Sequence, residues 1–343
     1  MRVAIHSKPE VFDHSTLWTH EWVAYCRELN VEFEVLDFFS NEAHERLKNA
    51  DIALWYLTNY SLQEMSFARS VLRSYAHSGT RVFPNEKTSW HFDDKVSQMF
   101  LLRSAGLPIP KSWFFATEDE ALDGFQRATY PLVAKLKGGS GASNVRLIRS
   151  AQEAKSYTHR MFGRGFSPAP SLPFKAVSNL RSAKSIPVLW ARAKRAPEFL
   201  RTRRQGQLLP RERGYVYLQE FVPNDGYDVK IVVVGDKLTA FGRKVRPSDF
   251  RASGGGDILD ARDLITRSII NSAFQAADTL DTQCIGFDYV VDQTSGEGAI
   301  IEMSYAFNFE VAADGHGHWT RDGEWHPEPL NAPREVLKNL LQS

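Results

Sequence analysis

The first 90 residues alternate between short β-prone runs and helical stretches, and this alternation constrains the fold more than any other feature of the chain. Residues 3–6, 32–36, 52–56 and 81–83 predict strands, and residues 18–29, 42–49 and 62–77 predict helices. A βαβα order predicts a parallel sheet covered by helices. Ligands bind at the carboxyl ends of such strands, so the loop with His14, Ser15 and Trp18 is either a substrate contact or a capping and packing segment.

The rest of the chain predicts two further units, so that residues 1–90, 91–214 and 215–343 form three. In the central unit, residues 93–105, 118–127 and 151–161 predict helices, and residues 113–115, 132–136 and 144–148 predict strands. In the last unit, residues 215–219, 229–234, 238–245, 285–291 and 298–303 predict strands, and residues 261–280 predict one long helix. Since 343 residues exceed one ordinary core, we expect an α/β (α+β) fold of several packed units.

Composition excludes several classes of protein. Hydrophobic residues make up 43% of the chain and charged residues 24%, which is typical of a globular protein rather than a disordered one. A net charge of +1 excludes a polyanion-binding role for the molecule as a whole. The two cysteines, Cys26 and Cys284, are too few for a disulfide scaffold and fit a reduced interior. No apolar run suits a signal peptide or a transmembrane span, so we expect a cytoplasmic protein.

Residues 160–213 break the pattern and are interpreted as a basic insert. They contain thirteen Lys and Arg residues against two Glu, with a helical piece only at residues 187–204. One interpretation is a solvated surface element. The other is a docking surface for an anionic partner, such as a sugar-phosphate carrier, a membrane surface or a nucleic acid. Trp190 is almost the only aromatic among the basic residues, which makes nucleic acid the least favoured partner.

A lysine-tipped strand followed by a glycine-rich turn is the first motif with chemical content. Lys135 ends an apolar run, and Lys137 and residues 138–141 (Gly-Gly-Ser-Gly) follow. Glycines let backbone amides approach a phosphate closely. No Gly-Lys-Ser/Thr sequence opens a helix here, so the turn is not a Walker A loop. A simple hairpin turn remains the alternative.

Two further motifs suggest nucleotide recognition. Residues 219–222 (Gln-Glu-Phe-Val) lead through a proline-broken linker to Asp228 and Lys230, a hinge that can offer main-chain groups to adenine, or else a plain surface loop. Arg243 and Arg251 belong to two basic clusters that flank a turn, and residues 254–256 form a triple glycine beyond them. Planar guanidinium groups bind phosphate or carboxylate bidentately, so these clusters predict convergence on an anion.

Two acids interrupt apolar β-runs that a short turn joins. Asp288 lies in Gly-Phe-Asp-Tyr-Val-Val and Glu302 in Ile-Ile-Glu-Met-Ser. A carboxylate on an inward strand face is costly unless it is paired or bound to a metal. Two carboxylates on neighbouring strands form a hard-oxygen site that suits Mg²⁺. A structural salt bridge to Arg243 or Arg251 is the competing interpretation.

The C-terminal segment holds His316, His318 and His326 with Trp319 and Trp325. The spacing and the lack of a nearby cysteine disfavour a zinc site. Contact with an acceptor substrate and simple packing both stay open.

Taken in order, these motifs resemble the ATP-grasp superfamily, nearest to the branch that contains the ribosomal-protein glutamate ligases. The resemblance spans residues 91–310, and residues 1–90 resemble the Rossmann-like pre-ATP-grasp domain that usually precedes that fold. The segment Glu-Met-Ser-Tyr-Ala-Phe, with Gly-His318-Trp319 and Glu-Trp325-His326-Pro beyond it, resembles a subgroup associated with surface-polysaccharide genes.

The resemblance implies ATP and Mg²⁺ as cofactors and assigns a role to each matching position. Its cofactor-binding residues are Lys95 and Lys135 at the α- and β-phosphates, Lys137, Gly138, Gly139, Ser140 and Gly141 in the lid, Gln219, Glu220, Phe221 and Val222 at the adenine, and Asp228 near the ribose. Its catalytic residues at the γ-phosphate and the acyl-phosphate are Lys230, Arg243 and Arg251. Its metal ligands are Asp288 and Glu302, with Ser304 where the family has Asn, and Asn308 as a substitute from farther on.

The implied function is an ATP-dependent carboxylate–amine ligase that forms an amide through an acyl-phosphate. Its partners would be a small-molecule carboxylate and an amine, sugar-linked if the polysaccharide association holds, and a homodimer stays open. The rivals are an ATP-grasp kinase that phosphorylates a hydroxyl and a non-catalytic ATP-binding protein.

Overall fold

The computed structural model describes residues 1–7, 14–59, 61–139, 144–168, 210–245, 250–251, 257–314 and 316–343. Several predictions therefore lie outside the described residues: Ser140, Gly141, the triple glycine at 254–256, the helix at 187–204 and most of the basic insert. The described part forms three sheets with helices packed on them. No described helix is long and apolar enough to cross a membrane.

The first sheet is parallel, as the alternation predicts, with strand order β2-β1-β3-β4. Its strands are β1 Arg2–His6, β2 Glu32–Leu36, β3 Ile52–Leu54 and β4 Arg81–Phe83. Its helices are α1 His14–Glu28, α2 Ala43–Leu47 and α3 Arg69–His77, the last preceded by a π-helical stretch, Glu64–Ala68. The short helix α4 Glu86–Ser89 leads away from β4.

The second sheet is antiparallel, with order β5-β8-β6-β7. Its strands are β5 Ser112–Phe115, β6 Leu132–Lys135, β7 Val145–Ile148 and β8 Val216–Glu220. Helix α5 Lys95–Ser104 precedes it, and α6 Glu118–Gln126 and α7 Ala151–Phe162 belong to it. Residues 215–219 are predicted to open the third unit, whereas β8 pairs with β5 and β6, so the chain leaves the second sheet only after Glu220.

The third sheet has order β13-β12-β9-β10-β14-β15, with β11 paired to β10. Its strands are β9 Tyr227–Val234, β10 Lys237–Lys244, β11 Ile258–Asp260, β12 Ile285–Val291, β13 Gly298–Ser304, β14 His318–Thr320 and β15 Trp325–His326. Its helices are α8 Arg267–Leu280, α9 Phe309–Ala313 and α10 Ala332–Gln342. The predicted helix at 261–280 begins late because the Thr266 side chain caps α8 by accepting from the Ile269 amide.

Two separate hydrophobic cores hold these sheets. One continuous core joins the first and third sheets, and the buried indoles of Trp18 and Trp22 donate across it to the carbonyls of Phe307 (3.3 Å) and Pro333 (2.9 Å). The second sheet has a smaller core of its own, built around residues such as Phe125. The first and third sheets therefore form one body, and the second sheet forms a smaller lobe beside it.

Candidate functional site

A cleft lies between the small lobe and the third sheet. Val133 and Val145, on neighbouring strands of the lobe, form one wall, and Val290 and Ile301, on neighbouring strands of the third sheet, form the other. The chain that connects the two sheets, from Gln219 to Val222 and on to Asn224, lines the cleft as well. The apolar part of the cleft is thus a slot between two sheets, bordered by the linker that joins them.

Asp288 and Glu302 line the polar end of the cleft. They are directly opposite each other on antiparallel strands β12 and β13, next to a register shift at Asp288/Tyr289. Residues directly opposite in such a pair share one face of the sheet, so both carboxylates are on the cleft side. The Asp288 side chain is 11% exposed, whereas the Glu302 side chain retains 30% exposure. The paired acids predicted from sequence do face one site.

Asp288 is surrounded by cations. Its Oδ1 lies 2.9 Å from the Lys230 ammonium and 3.2 Å from the Arg243 guanidinium. Burial opposes its charge, but Arg243 and Lys230 outweigh burial and hold the pKa of Asp288 at about 2. The salt bridge to Arg243 that competed with the metal interpretation is therefore present, and it keeps the carboxylate ionised.

Asp228 orients the side chain of Arg243. Its Nε and Nη2 donate to the two oxygens of Asp228, at 2.7 and 2.9 Å. The two residues are register partners on β9 and β10, so the sheet itself brings them together. Burial raises the pKa of Asp228 to about 6 although Arg243 opposes that shift. Asp228, predicted to lie near a ribose, does line the cleft, but both of its oxygens bind Arg243.

Two buried lysines approach the acids, Lys95 from the start of α5 and Lys135 from the end of strand β6 in the lobe. The Lys95 ammonium lies 3.1 Å from Glu302, and the Lys135 ammonium donates to the carbonyl of Ile301 at 2.6 Å. Burial disfavours the charge on Lys95, but Glu302 and Asp93 overcome it and raise its pKa. For Lys135 burial dominates and lowers the pKa to about 8. Of the two lysines, Lys95 is the more firmly cationic.

The start of the glycine-rich turn is tied to the protein. The amides of Lys137, Gly138 and Gly139 donate in succession to the Tyr215 hydroxyl (2.6 Å), Glu212 (3.2 Å) and Asp93 (2.9 Å). The Gly139 carbonyl accepts from Lys95 at 2.6 Å. Gly139 has a φ of +102°, and a Cβ there would come within 2.0 Å of the Asn144 side chain, so only glycine fits.

Sequence reasoning missed Asp93, Glu212 and Tyr215. Asp93 stands two positions before Lys95 and adopts a φ of +53°, which is uncommon outside glycine and most often tolerated by Asn and Asp. Its neighbour Lys95 was the only sequence signal that could have drawn attention to it. Glu212 is 74 residues from its partner Gly138, and no local pattern predicts such a contact.

The remaining predicted residues take varied positions. Arg251 lines the cleft beside Phe250, which sequence reasoning missed, and its Nη1 donates to the Val145 carbonyl at 3.4 Å. Ser304 Oγ bonds to the backbone of Ala306, and Asn308 caps α9 by accepting from the Glu310 amide. Both side chains already bond to the backbone of their own turns, so their role as metal ligands stays a prediction.

The histidines of the C-terminal segment pack within the third sheet. The rings of His318 and His326 stack at 5.2 Å across the β14–β15 pair, and His316 stacks on Phe241 at 5.5 Å. His318 Nδ1 lies 2.8 Å from the Glu328 carbonyl. The sequence left two roles open for these histidines, acceptor contact and packing, and the contacts seen here are packing contacts.

Comparison with known proteins identifies the fold. No family model matches the chain, and no curated protein matches it in sequence. It is similar to a RimK domain ATP-grasp protein from Sphaerobacter thermophilus (TM-score 0.56, 14% identity, 100% of both chains covered). It is also similar to D-alanine–D-alanine ligase from Bacillus anthracis (TM-score 0.58, 12% identity, 99% of this chain and 95% of that one). A third similar structure is the ATP-grasp ligase PsnB with its minimal precursor (TM-score 0.56, 15% identity, 99% and 98% covered). The chain has the ATP-grasp fold, a mixed α/β architecture, as the motif order implied.

Proposed function

We propose that this chain is a MgATP-dependent carboxylate–amine ligase. The observation that carries the proposal is the facing pair Asp288 and Glu302 at the end of an apolar slot, with Lys95, Lys135 and Lys230 around it. An ionised acid pair among buried cations costs free energy in a purely structural role, because each charge must be desolvated. In a bound complex, the triphosphate would pair with the lysines and its metal ion would pair with the two carboxylates.

The residues fit such a group. The slot between Val133, Val145, Val290 and Ile301 is lined by apolar side chains, as a purine ring requires. The two carboxylates supply the oxygen ligands that Mg²⁺ prefers. The roles proposed for Phe221, Val222 and the other linker residues agree with their position along the slot. The Glu220 amide already donates to the Lys111 carbonyl at 2.8 Å, so base recognition would use other groups of the linker.

The role proposed for each residue follows from its charge. When bound, ATP supplies the phosphoryl group that turns a carboxylate oxygen into a good leaving group, as an acyl-phosphate. Lys95 and Lys135 would hold phosphate oxygens, and Lys230, Arg243 and Arg251 would stabilise negative charge on the reacting groups. Phosphoryl transfer depends mainly on alignment and on positive charge around the equatorial oxygens, which this set provides.

The solved neighbours support the nucleotide and the metal. One structure of the Bacillus anthracis D-alanine–D-alanine ligase is complexed with ATP, and one structure of PsnB is complexed with Mg and ADP. By analogy, the substrates proposed here are a small-molecule carboxylate and an amine. The sugar-linked substrates, the surface-polysaccharide role, the three unit boundaries and a homodimer stay predictions.

The decisive experiment is phosphate release from MgATP across panels of amino acids and uronic acids, with mass spectrometry to detect a new amide. A ligase requires both substrates before phosphate appears and yields ADP and an amide. A kinase would yield a stable phosphorylated product from one substrate. Nucleotide binding without turnover on any substrate pair would favour the non-catalytic alternative, and absence of nucleotide binding would contradict the proposal altogether.

A further inference from the structure

Four arginines gather at the end of the small lobe, outside the cleft: Arg146 on β7, Arg160 near the end of α7, Arg164 just after α7, and Arg211 at the far end of the insert. We call them the arginine cluster. Val145 lines the cleft, and side chains alternate between the two faces of a strand, so Arg146 points to the opposite face. The arginine cluster is therefore separate from the cleft.

Phe166 organises two members of the arginine cluster. Its ring is buried and stacks on Tyr157 at 5.2 Å. The guanidinium carbons of Arg146 and Arg160 lie 4.6 and 4.0 Å from the centroid of the same ring. A cation over an aromatic face is attracted to it, so the ring holds two positive charges close to each other.

Backbone carbonyls hold the other side of the arginine cluster. Arg211 donates through Nε to the Arg164 carbonyl at 2.7 Å and through Nη2 to the Gly165 carbonyl at 2.8 Å. Arg160 Nε also donates to the Gly165 carbonyl, at 3.4 Å. Arg160 and Arg211 thus converge on one turn at residues 164–165, where neutral carbonyls fix their geometry.

Within the described part of the chain, none of these arginines has a carboxylate within 4.0 Å. Glu212, the neighbour of Arg211 in the chain, accepts from the Gly138 amide and the Tyr215 hydroxyl, and Glu118 pairs with His159 beside Arg160. Burial, and then the charges of Arg164, Arg146 and Arg211, lower the pKa of Arg160. Four like charges held together without a counter-charge repel each other, and an anion placed among them would relieve that repulsion.

We propose that the arginine cluster binds a multivalent phosphate group, such as the diphosphate of a soluble substrate or carrier. Guanidinium groups donate in a planar fork that matches phosphate oxygens, and four of them in one small area suit a compact, highly charged ligand. This site does not depend on the proposed function of the cleft.

The test is calorimetric titration of the full chain with inorganic pyrophosphate. We expect saturable binding whose affinity falls about tenfold in each single variant, Arg146→Gln and Arg160→Gln. The reason is that one hydrogen bond to a charged group contributes about a factor of ten or more to affinity. Arg127→Gln is the matched control, since Arg127 is exposed on the same lobe and outside the arginine cluster. Circular dichroism and thermal melting would establish that each variant is folded.

Two further arms separate the outcomes. Lys135→Gln alters the cleft, and binding of pyrophosphate must survive it; loss there alone would place the ligand in the cleft and overturn the inference. Absence of binding to the wild type, or equal weakening by Arg127→Gln, would overturn it too. The last arm uses vesicles that contain anionic lipid. If the wild type bound these vesicles but not pyrophosphate, and the Arg146 and Arg160 variants lost that binding, the ligand would be a membrane surface and the proposal of a soluble phosphate would be wrong. Failure of ATP to bind the wild type would affect only the proposed ligase function.

Discussion

The body formed by the first and third sheets and the small lobe formed by the second sheet are built differently. The body shares one continuous core, pinned by two buried indoles, whereas the lobe closes its own smaller core around residues such as Phe125. The acids, Lys230 and Arg243 stand on the body, Lys95 lies at the start of α5, which packs against β13, and Lys135 and the glycine turn come from the lobe. The site is therefore assembled from two separately stabilised parts: the body holds both signs of charge, and the lobe adds Lys135 and the glycine turn.

The largest expected effect is on stability, and it tests the independence of the two cores. Trp18→Ala and Phe125→Ala should each cost about 3–5 kcal/mol, since each removes a large buried side chain. Hydrogen exchange measured by mass spectrometry should locate the loss of protection in the body for Trp18→Ala and in the lobe for Phe125→Ala. Equal loss of protection in both parts with either variant would mean that the two cores unfold as one.

Next in size is the effect of Glu302→Gln on activity. The change keeps the shape of the side chain but removes a charge from the acid pair and from the Lys95 contact. We expect phosphate release to fall about 10²–10³-fold, comparable to the loss of one positioned electrostatic group. Titration with Mg²⁺ in the presence of ADP should show weaker metal binding. Glu297→Gln, at an exposed acid in the turn before β13, serves as the control and should leave both measurements unchanged.

Acid should lower the free energy of unfolding of the body, whose core contains Phe92 next to His91. His91 lies between α4 and α5, and its burial lowers its pKa to about 4 from an ordinary value of 6.5. The unfolded chain therefore binds a proton below pH 6.5 that the folded chain takes up only near pH 4, so stability falls as the pH drops through this window. The expected loss is about 3 kcal/mol, from 1.36 kcal/mol per pKa unit.

Urea unfolding of the wild type and of His91→Gln at pH 7 and at pH 4.5 measures this loss. The variant has no ionisable group at position 91, so its stability should depend less on pH than that of the wild type, even if it is less stable at both values. An identical pH dependence of the two proteins would exclude His91 as the source.

The smallest of the expected effects concerns the anchoring of the glycine turn. Asp93→Asn keeps an acceptor for the Gly139 amide but removes the charge that faces Lys95. A hydrogen bond to a charged group contributes about 1.5–3 kcal/mol, so we expect ATP affinity to fall by about tenfold or somewhat more. Burial raises the pKa of Asp93 although Lys95 opposes that shift, and the Gly139 amide resonance should shift as its acceptor changes from a carboxyl to an amide oxygen. Asp123→Asn, at an exposed acid on α6, is the control; a similar loss of affinity there would contradict the role of Asp93.

Most strands were predictable from sequence almost to the residue. Strands β2 and β12 begin and end where the apolar patterns predict, because β-branched and aromatic runs bounded by turns depend on local preferences. The strands β11, β14 and β15, which are two or three residues long, were not predicted. The helices α4, α9 and α10 were not predicted either.

The candidate site was predictable to the extent that its residues interrupt a local pattern. Asp288 and Glu302 stand out because each is an acid inside an apolar strand, and the short turn between the strands places them opposite each other. Asp93 and Glu212 do not interrupt an apolar run, and their partners in the glycine turn lie 46 and 74 residues away in the chain. Their role depends on contacts that no local pattern encodes.

The sequence by itself determined the alternation of elements, the acid pair, the lysine-tipped strand and the order of motifs typical of ATP-grasp proteins. Those features follow from local preferences and from the cost of burying charge, which act wherever the residues stand. Only the tertiary structure decided that β8 joins the second sheet, that Asp228 aims Arg243, and that three successive amides of the glycine turn bind protein groups. Those outcomes depend on which distant segments pack together, and packing places side chains by shape and burial rather than by their spacing along the chain.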